Sequence, residues 1–201
     1  MTNEIELKLN IAPEDVEILL HHPRLVAAGS PQKRFLSSQY FDTPTLDLMA
    51  LHTALRVRHI GGLWVQTVKI GGTVADGLHI RPEWETVVPD NRPHPHLFTD
   101  PVIRTVLTEK RIALLQPVFQ TEFWRSIWML DYAGSVIEVA LDQGNVSSQG
   151  RSAPIHELEL ELKSGNADAL TRLAHELSQP VPLQPESVSK AERGYALYQE
   201  W

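Results

Sequence analysis

The sequence has no cysteine among its 201 residues. That excludes disulfides and thiolate metal sites, and leaves carboxylate oxygen and imidazole as the available metal ligands. It has no apolar run long enough to cross a bilayer, and its first twenty residues are acidic and amphipathic, with no signal-peptide core. A net basic charge is also missing: 18 lysines and arginines face 25 acids, for a formal charge of −7. General nucleic-acid and anionic-membrane binders usually carry the opposite sign, so a bound anion has to be held by local cations. The glycine-rich stretch 71–77 lacks the lysine and hydroxyl of a phosphate-binding P-loop and reads as a mobile hairpin tip. Solenoid repeats and low-complexity tracts are absent as well. What remains is the expectation of a cytoplasmic protein without membrane or nucleic-acid partners. Its 42% apolar content suits one domain over residues 1–201 with its own core.

What is present is alternation. Glu4, Glu6 and Lys8 fall two apart near the start, and Glu157, Glu159, Glu161 and Lys163 do so near the end. In an extended strand each set shares one face, with Ile5, Leu7 and Leu9, or Leu158, Leu160 and Leu162, on the other. Strand patterns recur over 3–11, 34–42, 53–60, 63–70, 78–88, 118–130, 135–142 and 155–163, with Gly61-Gly62 and Ala133-Gly134 placed as hairpin turns. Helices are expected over 13–21, opened by Pro13, and over 44–51, 101–110, 167–178 and 190–199. Asn166 offers a cap for the fourth, and Ser187 or Ser189 one for the last. The proline-rich stretch 89–101, with His94 and His96, reads as a connection, because proline between two histidines disfavours a fixed chelating geometry.

The same-face rule groups further charges. Arg56 lies with Arg58, Arg81 with Glu83 and Glu85, and Glu138 with Asp142, while Lys69 and Arg125 add one cation each. An open sheet turning these faces to water accounts for each row alone. Eight antiparallel strands are also enough to close into a barrel with its apolar faces outside, under helices, and its charges in the lumen. A lumen of that kind needs a polyanion with divalent cations, since packed unpaired charges are costly. Trp124 and Trp128, opposite Arg125, are expected in the core. Tyr40, Phe41 and Tyr195 are read as wall packing, and His52, His59, His79 and His156 as structural or surface residues.

An ordered set of motifs then resembles the CYTH superfamily of triphosphate tunnel metalloenzymes. The set is Glu4-x-Glu6-x-Lys8, Tyr40-Phe41-Asp42-Thr43, Leu55-Arg56-Val57-Arg58, Thr67-Val68-Lys69, Arg81-x-Glu83-x-Glu85, Arg125, Leu141-Asp142, the Glu157 to Glu161 row and Ser189 to Tyr195. The resemblance implies an α+β fold: an eight-stranded antiparallel β-barrel, or tunnel, with a charged lumen and helices outside, the whole of 1–201 being a single CYTH domain. It implies Mg2+ or Mn2+ on Glu4, Glu6, Glu157, Glu159 and Glu161, with the register of the last three left open. Catalytic roles go to Glu4, Glu6, Lys8, Glu159 and Glu161. Lys8, Arg56, Arg58, Lys69, Arg81, Glu85, Arg125, Asp142 and Lys190 are implied to bind substrate, although Arg81 and Glu83 could equally form surface pairs.

The activity this resemblance implies first is metal-dependent hydrolysis of tripolyphosphate to pyrophosphate and phosphate, in the manner of bacterial members that often carry a CHAD domain after the CYTH domain. A thiamine triphosphatase, a nucleoside triphosphatase or adenylyl cyclase of the same architecture, and a non-catalytic polyphosphate-binding module are the alternatives. A lipocalin-like carrier would need apolar residues at Glu4, Arg56 and Glu159 and does not fit.

Overall fold

The computed structural model describes residues 2–199. Its strands are β1 (Thr2–Asn10), β2 (Gln32–Asp42), β3 (Thr53–Ile60), β4 (Leu63–Ile70), β5 (Thr73–Ala75), β6 (Leu78–Val88), β7 (Gln116–Tyr132), β8 (Ser135–Ser148), β9 (Arg151–Ser164) and β10 (Gln184–Pro185). The order β1-β9-β8-β7-β2-β3-β4-β6 returns on itself, because β6 also pairs with β1 from Glu4 opposite Arg81 to Leu7 opposite Leu78. Eight antiparallel strands thus form a closed barrel, which removes the sheet edges. The short β5 and β10 only flank it, on β6 and β1.

Closure brings the alternating acids of β1 and β9 side by side, with Glu6 opposite Glu161 and Lys8 opposite Glu159. The apolar face of these strands turns outward. Leu7, Leu9, Leu158 and Leu160 pack under α6 (Asp168–Leu177), whose Leu170, Leu173 and Leu177 are fully covered, together with Leu19 and Leu25 of the short α1 (Val16–Leu20) and α2 (Pro23–Ala27). Each such leucine contributes about 1.5–3 kcal/mol by burial. A second outer cluster sets Leu55, Val57, Val68 and Trp84 beneath Leu48 of α3 (Asp47–Ala50) and Ile103 of α4 (Pro101–Val106), which α5 (Glu109–Ile112) follows.

The third cluster lies inside. Leu36, Tyr40, Phe119, Phe123, Val146 and Ile155 occupy the lumen face of β2, β7, β8 and β9 beyond the charged residues, and Tyr195 of α7 (Lys190–Gln199) joins them. One end of the bore is therefore filled with apolar side chains and covered by α7. Gly194 permits this close approach, since a Cβ there would come within 2.1 Å of the Phe119 ring. A capping box starts the helix: Ser189 Oγ accepts from Glu192 N at 3.2 Å, and Glu192 Oε2 accepts from Ser189 N at 2.7 Å. Of the two serines offered by the sequence, Ser189 does the capping, and it aims Lys190 into the bore.

Several expectations are corrected by packing. Trp128 is buried and donates to the Gly29 carbonyl, but Trp124 is 57% exposed and lies against Phe35 on the outer wall. The face opposite Arg125 is therefore core at Trp128 and surface at Trp124. The 71–77 stretch does form a hairpin, as expected, with β5 paired to β6 and Gly71, Gly72, Asp76 and Gly77 supplying positive φ values. The segment 44–51 is helical only as α3, because Asp42 instead gathers the N–H groups of Thr43, Leu48 and Met49 at 2.7–2.9 Å. The helix expected over 101–110 breaks where Thr108 caps α5. β8 and β9 run past their expected ends to a turn at Gln149-Gly150.

Candidate active site

Most strands of the barrel contribute to one cavity. Glu4, Glu6 and Lys8 come from β1, Arg56 and Arg58 from β3, Lys69 from β4, Arg81 from β6, Arg125 from β7, Glu159 from β9 and Lys190 from α7. Seven cations thus face three carboxylates across one bore, in a chain that is acidic as a whole. The period of two put these side chains on one face; barrel closure turned that face inward. Of the other expected site residues, Asp142 and Glu157 lie fully buried in the wall behind Glu159. Glu85 and Glu161 line a wider opening at the uncovered end, beside Glu83 and Lys163.

Behind the cavity the charges are densely paired. Glu159 accepts from Lys8 at 2.5 Å, from Lys190 at 2.9 Å and from Arg125. Burial alone would push its carboxyl up, but Lys190, Lys8 and Arg125 together hold it well below the usual carboxylate range. Arg125 also grips Asp142 with two bonds of 2.7 and 2.6 Å. Lys190 touches Asp142 at 2.7 Å and Glu157 as well, and Arg193 closes on Glu157 at 2.6 Å.

Toward the open end the pairing thins. Lys69 meets Glu4 at 2.5 Å and Glu83 at 3.3 Å, while Arg56 stands 3.8 Å from both Glu83 and Glu85. Arg81 lies in the bore 3.5 Å from Glu6. Burial raises the Glu161 carboxyl, with Glu4 and Glu138 adding to the rise against the opposing Lys163, which sits 2.7 Å away.

Arg58 is the exception. It is only 6% exposed, its Nε donates to Ser38 Oγ at 2.7 Å, and no carboxylate lies within ion-pairing distance of it among the described residues. Burial, with Arg56 and Arg125 close by, pushes its guanidinium down to about 9. At neutral pH the group stays charged, so a buried cation stands beside other cations without a carboxylate partner. Beneath it lies the Phe123 ring, whose face Arg58, Arg125 and Lys190 share at 5.6, 5.6 and 5.0 Å. Tyr40 lines the cavity next to Arg56 and Arg58; burial works against its ionisation, but these cations prevail and lower its pKa.

Phe123 and Ser38 are site residues that the sequence does not single out, whereas Lys163 stands in the late same-face row without a role assigned to it. Phe123 carries a signal, since it stands two residues before Arg125 and so on the same face. Tyr40 was read as packing, and it is both packed and cavity-facing.

One acidic grouping among the described residues brings three carboxylates close enough together to share a hard cation. Asp142, Glu157 and Glu159 each bring an oxygen within 4.8 Å of the others, but the Lys190 ammonium touches all three and already supplies a cation there. Glu4, Glu6 and Glu161 are not gathered this closely, and each faces a lysine: Lys69, Lys8 and Lys163. Glu6 Oε1 is buried without a hydrogen bond, Lys8 Nζ lying 3.1 Å away as an ion pair only. A buried carboxylate oxygen without a hydrogen bond is the kind of hard donor that suits Mg2+ or Mn2+.

Comparison with known proteins agrees with this geometry. The CYTH domain model matches residues 2–195. An inorganic triphosphatase of Haemophilus influenzae is 35% identical over 98% of this chain, which spans about half (55%) of that relative's length. A Hippeastrum protein, named as an adenylyl cyclase and said to show a dominant triphosphatase activity, superposes with a TM-score of 0.69 at 16% identity, over 98% of this chain and 95% of that one. A Bacillus halodurans protein named as an adenylate cyclase gives 0.62 at 17% identity, over 96% and 98%. At such identities these structures share the fold. No helix among the described residues is long and apolar enough to cross a membrane.

Proposed function

The chain belongs to the CYTH domain family, and from that premise we propose that it is a metal-dependent inorganic triphosphatase, cleaving tripolyphosphate to pyrophosphate and phosphate in the bore. The observation that carries the reading is Arg58: a buried, unpaired guanidinium in a cavity where cations outnumber carboxylates calls for a polyanion. Tripolyphosphate is small, highly charged and without an apolar part, as the polar bore requires. The Haemophilus relative, an inorganic triphosphatase, points the same way. Residues 1–201 are taken as a single CYTH domain, a cytoplasmic setting is part of the same reading, and a following CHAD domain would suit the greater length of that relative.

In this proposal Arg56, Arg58, Lys69, Arg81, Arg125, Lys8 and Lys190 hold the phosphate oxygens, the arginines by paired N–H donors that match phosphate geometry. Water attacks a terminal phosphorus, the bridging P–O bond breaks, and pyrophosphate leaves with its new charge against the cations. Glu4, Glu6 and Glu161, with the adjoining Glu157 and Glu159, are the residues that would hold Mg2+ or Mn2+. That ion neutralises phosphate charge and lowers the pKa of bound water. Glu85 and Asp142 act at one remove. Asp142 orients Arg125, and Glu85 faces the opening, where Thr67 holds it at 2.8 Å.

Phosphate release from tripolyphosphate, ATP and thiamine triphosphate, measured side by side with Mg2+ or Mn2+, tests the proposal. The highest kcat/KM is expected for tripolyphosphate, and Glu6→Ala should reduce it about 100-fold or more. Equal rates for wild type and Glu6→Ala, or binding of tripolyphosphate without turnover, would sink it.

A further inference from the structure

His79 has no place in the roles described so far, yet it lies on the lumen face of β6, two residues before Arg81, and is 1% exposed. Both ring nitrogens are engaged. Nδ1 is 2.7 Å from Arg81 Nη2, and Nε2 is 3.0 Å from the Glu186 carbonyl oxygen. A guanidinium only donates and a carbonyl only accepts, so Nδ1 is the bare nitrogen and Nε2 carries the proton. Burial lowers the imidazole pKa, in keeping with that neutral form.

The two bonds reach different parts of the site. Arg81 projects from His79 toward Glu6 at 3.5 Å and into the cavity. Glu186 belongs to the segment that follows β10: its N–H donates to the Lys8 carbonyl at 2.9 Å, and its carboxylate accepts from Asn10 at 2.7 Å and from Val188 N at 2.6 Å. That segment leads directly into Ser189 and Lys190. Arginine has a long side chain with much rotational freedom, and the weak 3.5 Å contact with Glu6 does little to fix it. The short bond to His79 fixes one end of the guanidinium and leaves the remaining N–H groups for a ligand.

We propose that His79 is a positioning residue for substrate binding, holding the Arg81 guanidinium in the bore through Nδ1 so that its free N–H groups meet a phosphate of the bound triphosphate. This rests on the triphosphatase reading of the same cavity. A merely bracing histidine would act through its other nitrogen, on Glu186, and the two roles separate by substitution. Asparagine places an acceptor oxygen near the Nδ1 position, whereas glutamine places a donor near the Nε2 position.

The experiment is steady-state hydrolysis of tripolyphosphate, with calorimetric binding of tripolyphosphate and thermal melts, for wild type, His79→Leu, His79→Asn and His79→Gln, each with and without Arg81→Ala. His79→Leu is expected to raise KM and Kd about tenfold, with kcat changed far less. His79→Asn should return both to within about threefold of wild type, while His79→Gln should restore the melting temperature but not KM. In the Arg81→Ala background His79→Leu should add nothing further, since both changes remove one interaction. Rescue of KM by glutamine but not asparagine, additive effects with Arg81→Ala, or a wild-type KM in His79→Leu would each overturn the proposal. If His79→Leu fails to fold, the asparagine and glutamine pair still decides. Wild-type protein that neither binds nor hydrolyses tripolyphosphate would remove the triphosphatase reading, and this role with it; active wild type with any of the other three results overturns this role alone.

Discussion

Lys190→Met is expected to lower the unfolding free energy by about 3–5 kcal/mol, the usual cost of removing one partner from a buried ionic cluster. The lysine ammonium contacts three carboxylates, those of Asp142, Glu157 and Glu159, of which the first two are fully buried. Arg125 and Arg193 stay behind with Asp142 and Glu157, so the cluster is impoverished but keeps some cations. Three neighbouring carboxylates with less positive charge beside them are costlier to keep ionised, so protonation of the cluster is favoured in the folded variant relative to wild type. The sign follows from linkage: a carboxyl with a raised folded pKa contributes stability at low pH and loses it as pH rises through the unfolded and then the folded pKa. The defect should therefore shrink near pH 4–5, the carboxylate range, and reach its full size at neutral pH. Urea unfolding of wild type and Lys190→Met at pH 4.5 and 7.5 measures this. A variant as stable as wild type at pH 7.5 would show that Lys190 does not neutralise the acids it touches. Activity should fall too, since the same ammonium faces the cavity.

Arg58→Met should separate stability from function. Burial and the neighbouring Arg56 and Arg125 depress the Arg58 guanidinium to about 9. A cation with a lowered folded pKa destabilises the folded state below that value, and stability rises as pH climbs above about 9 toward the higher unfolded value. Methionine retains an apolar side chain to lie against Phe123 and removes the charge. The expected result is an unchanged or higher melting temperature without ligand, no gain in stability on going from pH 7.5 to 10 of the kind the arginine would give, and a loss of about 100- to 1,000-fold in kcat/KM for tripolyphosphate. Thermal melts across pH, together with steady-state kinetics, supply both halves. Loss of stability at pH 7.5 with full activity would mean that Arg58 serves the fold and not the substrate.

These two residues also show how far the sequence could be read. The eight barrel strands were legible because alternation of apolar and charged residues is local: Glu4 and Glu6 share a face whatever the rest of the chain does. The helices that pack outside were less so. Asp42 capping three N–H groups and Thr108 restarting α5 are decisions made by particular hydrogen bonds, and they shortened or divided segments whose pattern looked continuous. Trp124 and Trp128 share a face and a residue type, and only the covering segment at Gly29 makes one of them core.

Pairing was the part the pattern withheld. Strand spacing picks out the charged residues of β1, β3, β4, β6, β7 and β9 that line the bore, and the family resemblance adds Lys190, but the late acidic row also contains Glu157, sealed behind Lys190 and Arg193, and Glu161, open beside Lys163. Which cations are neutralised and which is left wanting an anion depends on distances between strands far apart in the chain. By itself the sequence determined which side chains share a strand face, because the period of two is built into extended backbone. Only the tertiary structure decided that this face turns inward, that apolar residues and α7 fill one end, and that Arg58 is left unpaired, because ring closure and long-range packing set the separations on which electrostatic energy depends.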